Sequence, residues 1–374
     1  MLNGVYLTLL IGPGVPLPAP PPVVEALKSV QVNSSKDRTG FQLTFTLGKT
    51  SPLNLAMLPA GYFDPIVTRV VIVVTMKGLP HVLMDGIITR QELAPSNEPG
   101  QSTLTVTGED LSVLMDIIEV KITYPAMPVA ARVALILAKY AAYGIVPVVV
   151  PPPSDVPPNP TKKMPMQTES DRDYIRGLAS RCGYVFYVAP GPAPLMSTAY
   201  FGPDLPIPLP MPALSVNMDW QTNVESLSFS LDGMAKKVVF VTIFDPVTGR
   251  VPIPIPVPNI SLLHPPLGAR LTPPAKIQFP KKMANLDPAE ALERIFGLML
   301  DNADAITGNG SLNTTQYGAI LQTRAVVGVR GAGPAYDGFY YINSVTHNLK
   351  PGEYKQSFTL SRDGLISQTP VVGP

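Results

Sequence analysis

Gln167-Thr168-Glu169-Ser170-Asp171-Arg172-Asp173-Tyr174-Ile175-Arg176-Gly177-Leu178-Ala179, followed by Gly183-Tyr184-Val185-Phe186-Tyr187-Val188, is the stretch on which the fold is read. Ser170 and Asp171 offer side-chain oxygens to the amides that a helix leaves unpaired at its start. Tyr174, Ile175, Leu178 and Ala179 then share one face at helical spacing, so a helix should start here and turn that face inward. Gly183 supplies the stop. Tyr184 to Val188, aromatic and β-branched, reads as a short strand. Cys182, the only cysteine, falls at the helix end; it is expected to be a packed thiol, and an intrachain disulfide is excluded.

Toward the N-terminus the periodicity changes from helical to alternating. Val129 to Ala142 is dense in Ala and Leu, with Pro128 at a first turn and Gly144 as its stop, so a helix is expected there. A proline-rich connector, Pro147 to Pro165, separates it from the next helix. Leu2 to Val120 is β-rich. Val23–Val32 and Gly40–Leu47 read as a strand pair, with Phe41, Leu43, Phe45 and Leu47 alternating against polar residues. Thr68–Met76 is a β-branched run ending at a Gly78 turn, and His81–Arg90 with Ser102–Thr107 form a hairpin. Toward the C-terminus, Val224–Leu231, Lys237–Phe244, Gly318–Gly328, Gly338–Leu349 and Tyr354–Leu360 are expected strands. A turn is expected at 245–249, a proline-rich excursion at 251–274, and a helix from Asp287-Pro288 to Asn302.

Composition restricts the function classes. Charged residues are 15% of the chain, against about 25% ordinarily, which implies a surface largely covered by other subunits. The formal net charge of +1 provides no global field toward nucleic acid or anionic lipid. Proline contributes 45 of 374 residues, more than twice the usual share of about 5%, in clusters between periodic segments. That pattern suits ordered domains joined by stiff connections. The apolar Met1–Leu10 lacks a basic leader and is cut short by prolines 13, 16, 18 and 20, so folding in the cytosol with no membrane segment is expected.

Two stretches echo one another. Gly86–Leu93 followed by Ser102–Leu111, and Ile342–Leu349 followed by Ser357–Leu365, are both hairpins whose second strand leaves through an acidic turn into a leucine. Two similar β units in one chain would let a trimer present six equivalent edges, which is how a threefold object can meet a sixfold tube. Two unrelated hairpins are the alternative.

Gln167 to Val188 resembles the late-control protein D family of phage tail hubs and the hub portion of type VI secretion spike proteins. In these a glutamine and then Glu-Ser/Thr-Asp open a helix that ends in a glycine and an aromatic strand. Asp337-Gly338-Phe339-Tyr340-Tyr341-Ile342 through Leu365 resembles the closing hairpin of the same family, marked by Val345-Thr346-His347 and Leu360-Ser361-Arg362-Asp363-Gly364-Leu365. The resemblance implies an α+β, mainly β chain. Two tube-like β-barrel domains (1–125 and 213–374, the second with an inserted proline-rich segment and helix) would flank a small α/β domain (126–212). As a homotrimer they would form a pseudo-sixfold ring. It implies structural roles for Gln167, Glu169, Ser170, Asp171, Gly183, Asp337, Gly338, His347, Arg362 and Gly364. The implied function is that of a baseplate hub in a contractile tail or phage-like injection system, assembled in the cytoplasm. Its implied partners are an inner tube protein, baseplate wedge proteins and a central spike. The spike is expected to be a separate polypeptide, because no oligonucleotide-binding-type domain or β-helical needle follows before Pro374.

Catalytic constellations are missing. His81, His264 and His347 are far apart and have no metal spacing. Asp301 and Asp304 read as solvated groups near a helix end. Gly308-Asn309-Gly310 and Gly328–Gly333 lack the Lys-Ser/Thr and following helix of a phosphate loop. Trp220 reads as a core or interface anchor. No enzyme activity, cofactor or metal is expected; a tail-associated peptidoglycan hydrolase is the alternative function.

Overall fold

The computed structural model describes residues 4–368 apart from 37, 99, 154, 159–160, 162–163, 207–210, 245–251, 258–265 and 279–303. The expected turn at 245–249, the expected helix at 287–302, His264 and Asp301 therefore lie outside the described residues.

Seven strands come first: β1 (Val5–Pro13), β2 (Leu17–Pro18), β3 (Leu27–Ser35), β4 (Thr39–Leu47), β5 (Thr68–Met76), β6 (Leu79–Ala94) and β7 (Ser102–Asp110). Val23 was expected to open a strand, but Pro21–Ala26 is a short helix, α1, and β3 begins only at Leu27. Pro20, Pro21 and Pro22 set φ near its helical value in a first turn, where a missing N–H costs nothing. Val70, Ile72 and Val74 of β5 join Val32, Phe45 and Leu104 in one core. Val71 and Val73 on the opposite face are buried too, so a strand covered on both faces reads as an unbroken apolar run.

The middle of the chain adds β8 (Ile122–Thr123), α2 (Val129–Ala138), β9 (Ile145–Val149), β10 (Met166–Gln167), α3 (Asp171–Cys182), β11 (Val185–Pro190) and β12 (Ser197–Gly202). β12 lies between β11, antiparallel, and β9, parallel. Ile136 and Leu137 of α2 pack with Tyr174, Ile175, Leu178 and Ala179 of α3 over Phe186, Val188 and Phe201 of this sheet. Burying each such aliphatic or Phe side chain contributes about 1.5–3 kcal/mol, well above the few tenths that helix propensity supplies per residue. The apolar face, not local preference, fixes both helices.

The last segment holds β13 (Leu214–Ser215), β14 (Ser226–Leu231), β15 (Lys237–Phe244), β16 (Pro252–Val257), β17 (Gly268–Leu271), β18 (Lys276–Gln278), β19 (Ile306–Asn313), β20 (Val326–Arg330), β21 (Gly338–Lys350), β22 (Glu353–Arg362) and β23 (Gly364–Ser367). Part of the expected proline-rich excursion is thus strand. In Pro252-Ile-Pro-Ile-Pro-Val every second residue is proline, so all the missing N–H groups lie on one side. Among the described residues β16 pairs on one side only, with β15, the arrangement an alternating proline strand requires. The strand expected from Gly318 starts only at Val326, because Thr314–Tyr317 is a one-turn helix closed by Gly318.

One sheet of 13 strands runs through both ends of the chain, in the order β14-β19-β22-β21-β3-β4-β7-β6-β5-β1-β2, with β20 and β13 branching from β21. This corrects the expectation of closed barrels: no barrel closes among the described strands. The reason lies in β21, which is long enough to serve two partners on one edge. Val326–Val329 of β20 pair with Gly338–Tyr341, while Val30–Ser35 of β3 pair with Ser344–Leu349. The edge on which the second unit would have to close is occupied by the first.

The sheet is nonetheless a repeat. Sheet order β1-β5-β6-β7-β4-β3 in the first half corresponds, strand for strand in chain order, to β13-β20-β21-β22-β19-β14 in the second. β6 bulges at Thr89, between Ile88 and Arg90, and β21 bulges at Asn343, between Ile342 and Ser344. Just before each bulge a non-glycine residue with left-handed backbone donates to the strand. Ile66 (φ 68°) donates its amide to the Ile88 carbonyl at 2.7 Å, and Arg324 (φ 66°) donates to the Ile342 carbonyl at 2.8 Å. The halves differ in two ways. β1 meets β5 antiparallel whereas β13 meets β20 parallel. Three residues of sequence separate β3 from β4, but residues 232–305, carrying β15 to β18, separate β14 from β19.

Candidate functional site

The sequence-derived residues gather at two places. At the first, Ser170 caps α3 by accepting the Asp173 amide at 3.2 Å, while its own hydroxyl donates to Asp116 Oδ1 at 2.7 Å. Asp171 does not cap. Its buried carboxylate accepts from Gln167 Nε2 at 2.7 Å, the Tyr140 hydroxyl at 2.9 Å and Lys139 Nζ at 3.1 Å. Gln167, fully buried, also donates to the Glu169 carbonyl at 3.1 Å and accepts from the Tyr124 hydroxyl at 2.7 Å. Burial, followed by the nearby Asp171 charge, raises both phenols above their ordinary range and keeps them as protonated donors. Glu169 contributes its backbone carbonyl. Gly183 takes the left-handed φ of 69° that ends the helix.

Arg172 then ties α3 to the first half of the sheet, pairing with Asp116 and, at 3.3 Å, with Glu109 of β7. A second tie, absent from the sequence reading, is Arg69 with Asp85. Arg69 Nε and Nη2 each donate to one oxygen of the Asp85 carboxylate at 2.7 Å, with both side chains buried. Arg69 Nη2 also donates to the Leu195 carbonyl at 3.4 Å, and Ser197 Oγ donates to Asp85 at 3.3 Å. The sequence signal was one charge inside each of two apolar strands.

At the second place Arg362 is fully buried and donates to three carbonyls: Gly364 at 2.7 Å, Asp337 at 2.8 Å and Ala335 at 2.9 Å. Its guanidinium lies 4.4 Å from the Tyr340 ring centroid, and burial lowers its pKa. Asp337 Oδ1 accepts the Ala332 amide at 2.8 Å and pins the preceding loop. Gly338, at φ 124°, leaves room that a Cβ would lose by coming within 2.4 Å of Ser367, and a Cβ on Gly364 would come within 2.3 Å of the Arg270 carbonyl. His347 lies apart from this group, on the part of β21 that pairs with β3. Its Nδ1 faces two donors, the Tyr354 hydroxyl at 2.8 Å and Gln356 Nε2 at 3.2 Å. It therefore acts as an acceptor on a neutral ring, and burial lowers its pKa to about 4.

Each of these contacts braces one segment of the chain against another. Among the described residues no group of three or more His, Cys, Asp or Glu is placed to hold a metal ion, and no helix is long and apolar enough to cross a membrane. Gly308-Asn309-Gly310 lies inside β19, and Asp304 accepts a hydrogen bond from Ser361. Trp220 is 88% exposed, which rules out a core role for it. Cys182 is buried.

No protein-family model matches the chain, and no curated protein matches it. Solved structures do. A 43 kDa tail protein of prophage MuSo2 from Shewanella oneidensis is 11% identical with a TM-score of 0.62 over 96% of this chain and 99% of that one. A tail protein from Neisseria meningitidis MC58 is 15% identical with a TM-score of 0.58, over 97% and 98%. An E. coli component of the type VI secretion system, itself similar to T4 bacteriophage tail proteins gp27 and gp5, is 12% identical with a TM-score of 0.51, over 93% and 77%. The chain has the fold shared by phage tail proteins and this type VI secretion component.

Proposed function

We propose that the chain is a structural baseplate hub of a contractile phage tail or phage-like injection system, seated between a sixfold inner tube and a threefold central spike. The observation that carries this reading is the repeat within one sheet. Two halves with the same strand order give each chain two equivalent faces, so three copies present six to a tube and three to a spike. The braces suit a mechanical part, since Arg69 and Arg362, both buried, and the partly buried Arg172 lock neighbouring segments together with charge-assisted bonds. Domains at 1–125, 126–212 and 213–374 remain the proposed division, with the first and last acting as tube-like units despite their shared sheet.

Light scattering on the purified chain, alone and with the tube and spike proteins encoded beside it, tests the reading. A mass of three copies that binds both partners is expected. A monomer that binds neither would refute it.

A further inference from the structure

β3 and β21 form the seam that joins the two halves, and the chain carries the same two edges a second time, unjoined. β14 is the counterpart of β3, and no strand lies on its outer edge among the described residues. β6 is the counterpart of β21; β5 covers it only as far as Ile87, leaving Arg90–Ala94 open on that edge among the described residues. We propose that these open edges are the two sides of a second seam, closed by another copy of this chain. β14 of one copy adds antiparallel to residues 90–94 of β6 in the next. The inference rests on the hub reading and names the surface through which the hub assembles.

The repeat fixes the register. One row across the first half runs Arg90, Thr107, Gln42, Gln31; the matching row of the second runs Ser344, Thr359, Asn309, Ser228. Within the chain Ser35 lies opposite Ser344, Ser34 opposite Val345 and Val32 opposite His347. Carried to the open edges, Asp232 falls opposite Arg90, Leu231 opposite Gln91, and Phe229 opposite Leu93. The first of these is an ion pair. Flanking residues match as well. Inside the chain, Thr323 Oγ1 donates to Ser34 and Arg324 Nη2 to the Lys36 carbonyl, across the seam. The counterpart of Arg324 is Ile66, 44% exposed beside Val67 at 59%, and the counterpart of Ser34 is Leu231 at 42%. A polar contact inside the chain is thus answered by an apolar one between copies. Ser226–Leu231 also contains neither the proline nor the charge that ordinarily guards an open edge.

Pairing β14 to β6 is head-to-tail, so repeated joints close into a ring when the rotation per copy is that of a threefold, the stoichiometry of the hub reading. Mixing a Gln91→Cys variant with a Leu231→Cys variant tests the seam, since a disulfide can then form only between copies; Cys182 is buried. Oxidation of that mixture should give at least about tenfold more cross-linked pair than a mixture of Glu92→Cys with Leu231→Cys, which is one residue out of register and on the other face. Arg90→Asp and Asp232→Arg should each raise the association midpoint about tenfold, and together restore it. A three-copy mass without the cross-link would overturn the seam and leave the hub reading standing. A chain that stays monomeric would overturn both.

Discussion

Removing the Arg69–Asp85 pair in stages is the sharpest test of how the sheet is held to the middle of the chain. Both side chains are buried, and the carboxylate takes two guanidinium bonds at 2.7 Å. Asp85→Leu would leave the guanidinium with the Leu195 carbonyl at 3.4 Å as its remaining partner. Arg69→Met would leave the carboxylate with Ser197 Oγ at 3.3 Å. Breaking a buried pair from one side costs about 3–5 kcal/mol, because the remaining charge stays buried without compensation. Replacing both by apolar groups of similar volume is close to neutral. Here Ser197 also loses its acceptor, which costs about 1 kcal/mol. Each single variant should therefore fall by about 4 kcal/mol and the double by about 1 kcal/mol, a coupling of several kcal/mol. Urea unfolding followed by far-UV circular dichroism is the assay; guanidinium salt would screen the charges under test. A single variant costing less than about 1 kcal/mol, or a double no more stable than the singles, would refute the reasoning.

Three further outcomes follow from the same geometry. Burial lowers the His347 pKa to about 4 from an ordinary value near 6.5, so between these values the unfolded chain binds the extra proton. Stability should fall as pH drops from about 6.5, approaching about 1.4 kcal/mol per pH unit from this group; urea midpoints at pH 7 and pH 5 should show His347→Gln losing that share of the slope, and equal slopes would contradict it. Ser170→Ala removes the cap of α3 and the bond to Asp116, and should cost about 1–2 kcal/mol in the same assay; an unchanged urea midpoint would argue against the capping role. Gly338→Ala puts a Cβ against Ser367 at a backbone angle that alanine rarely adopts, and should destabilise the C-terminal hairpin by more than about 1 kcal/mol, read as faster amide exchange along β21 and β22.

Local chemistry made much of this fold legible. The α3 cap, its apolar face and the Gly183 stop could each be read from a few adjacent residues, because caps and periodicity are local. The β6–β7 and β21–β22 hairpins were legible for the same reason. Pairing between distant strands was not. Nothing local to Val30 or Leu349 says that their strands lie side by side, and that pairing is what replaces closed barrels with one open sheet. At Val23 two local preferences conflict: valine favours a strand, the prolines at 20–22 favour a helical turn, and the prolines prevail.

The site followed the same division. Ser170, Asp171 and Gly183 were expected at a helix start and stop, yet the main task of Asp171 is to bind Gln167, Tyr140 and Lys139, contacts set by tertiary packing. Arg362 belongs to a legible motif, but two of its three carbonyl partners, Ala335 and Asp337, depend on how the loop before β21 folds back on it. Arg69 and Asp85 were visible only as charges inside apolar strands, without any indication that they meet.

Counting copies in the assembled particle tests the central claim most directly. Quantitative mass spectrometry of purified tails or injection particles should find three copies of this chain for every six of each tube ring, cross-linked to both tube and spike proteins. Six copies, or a chain found in the lysate but absent from the particle, would contradict the account.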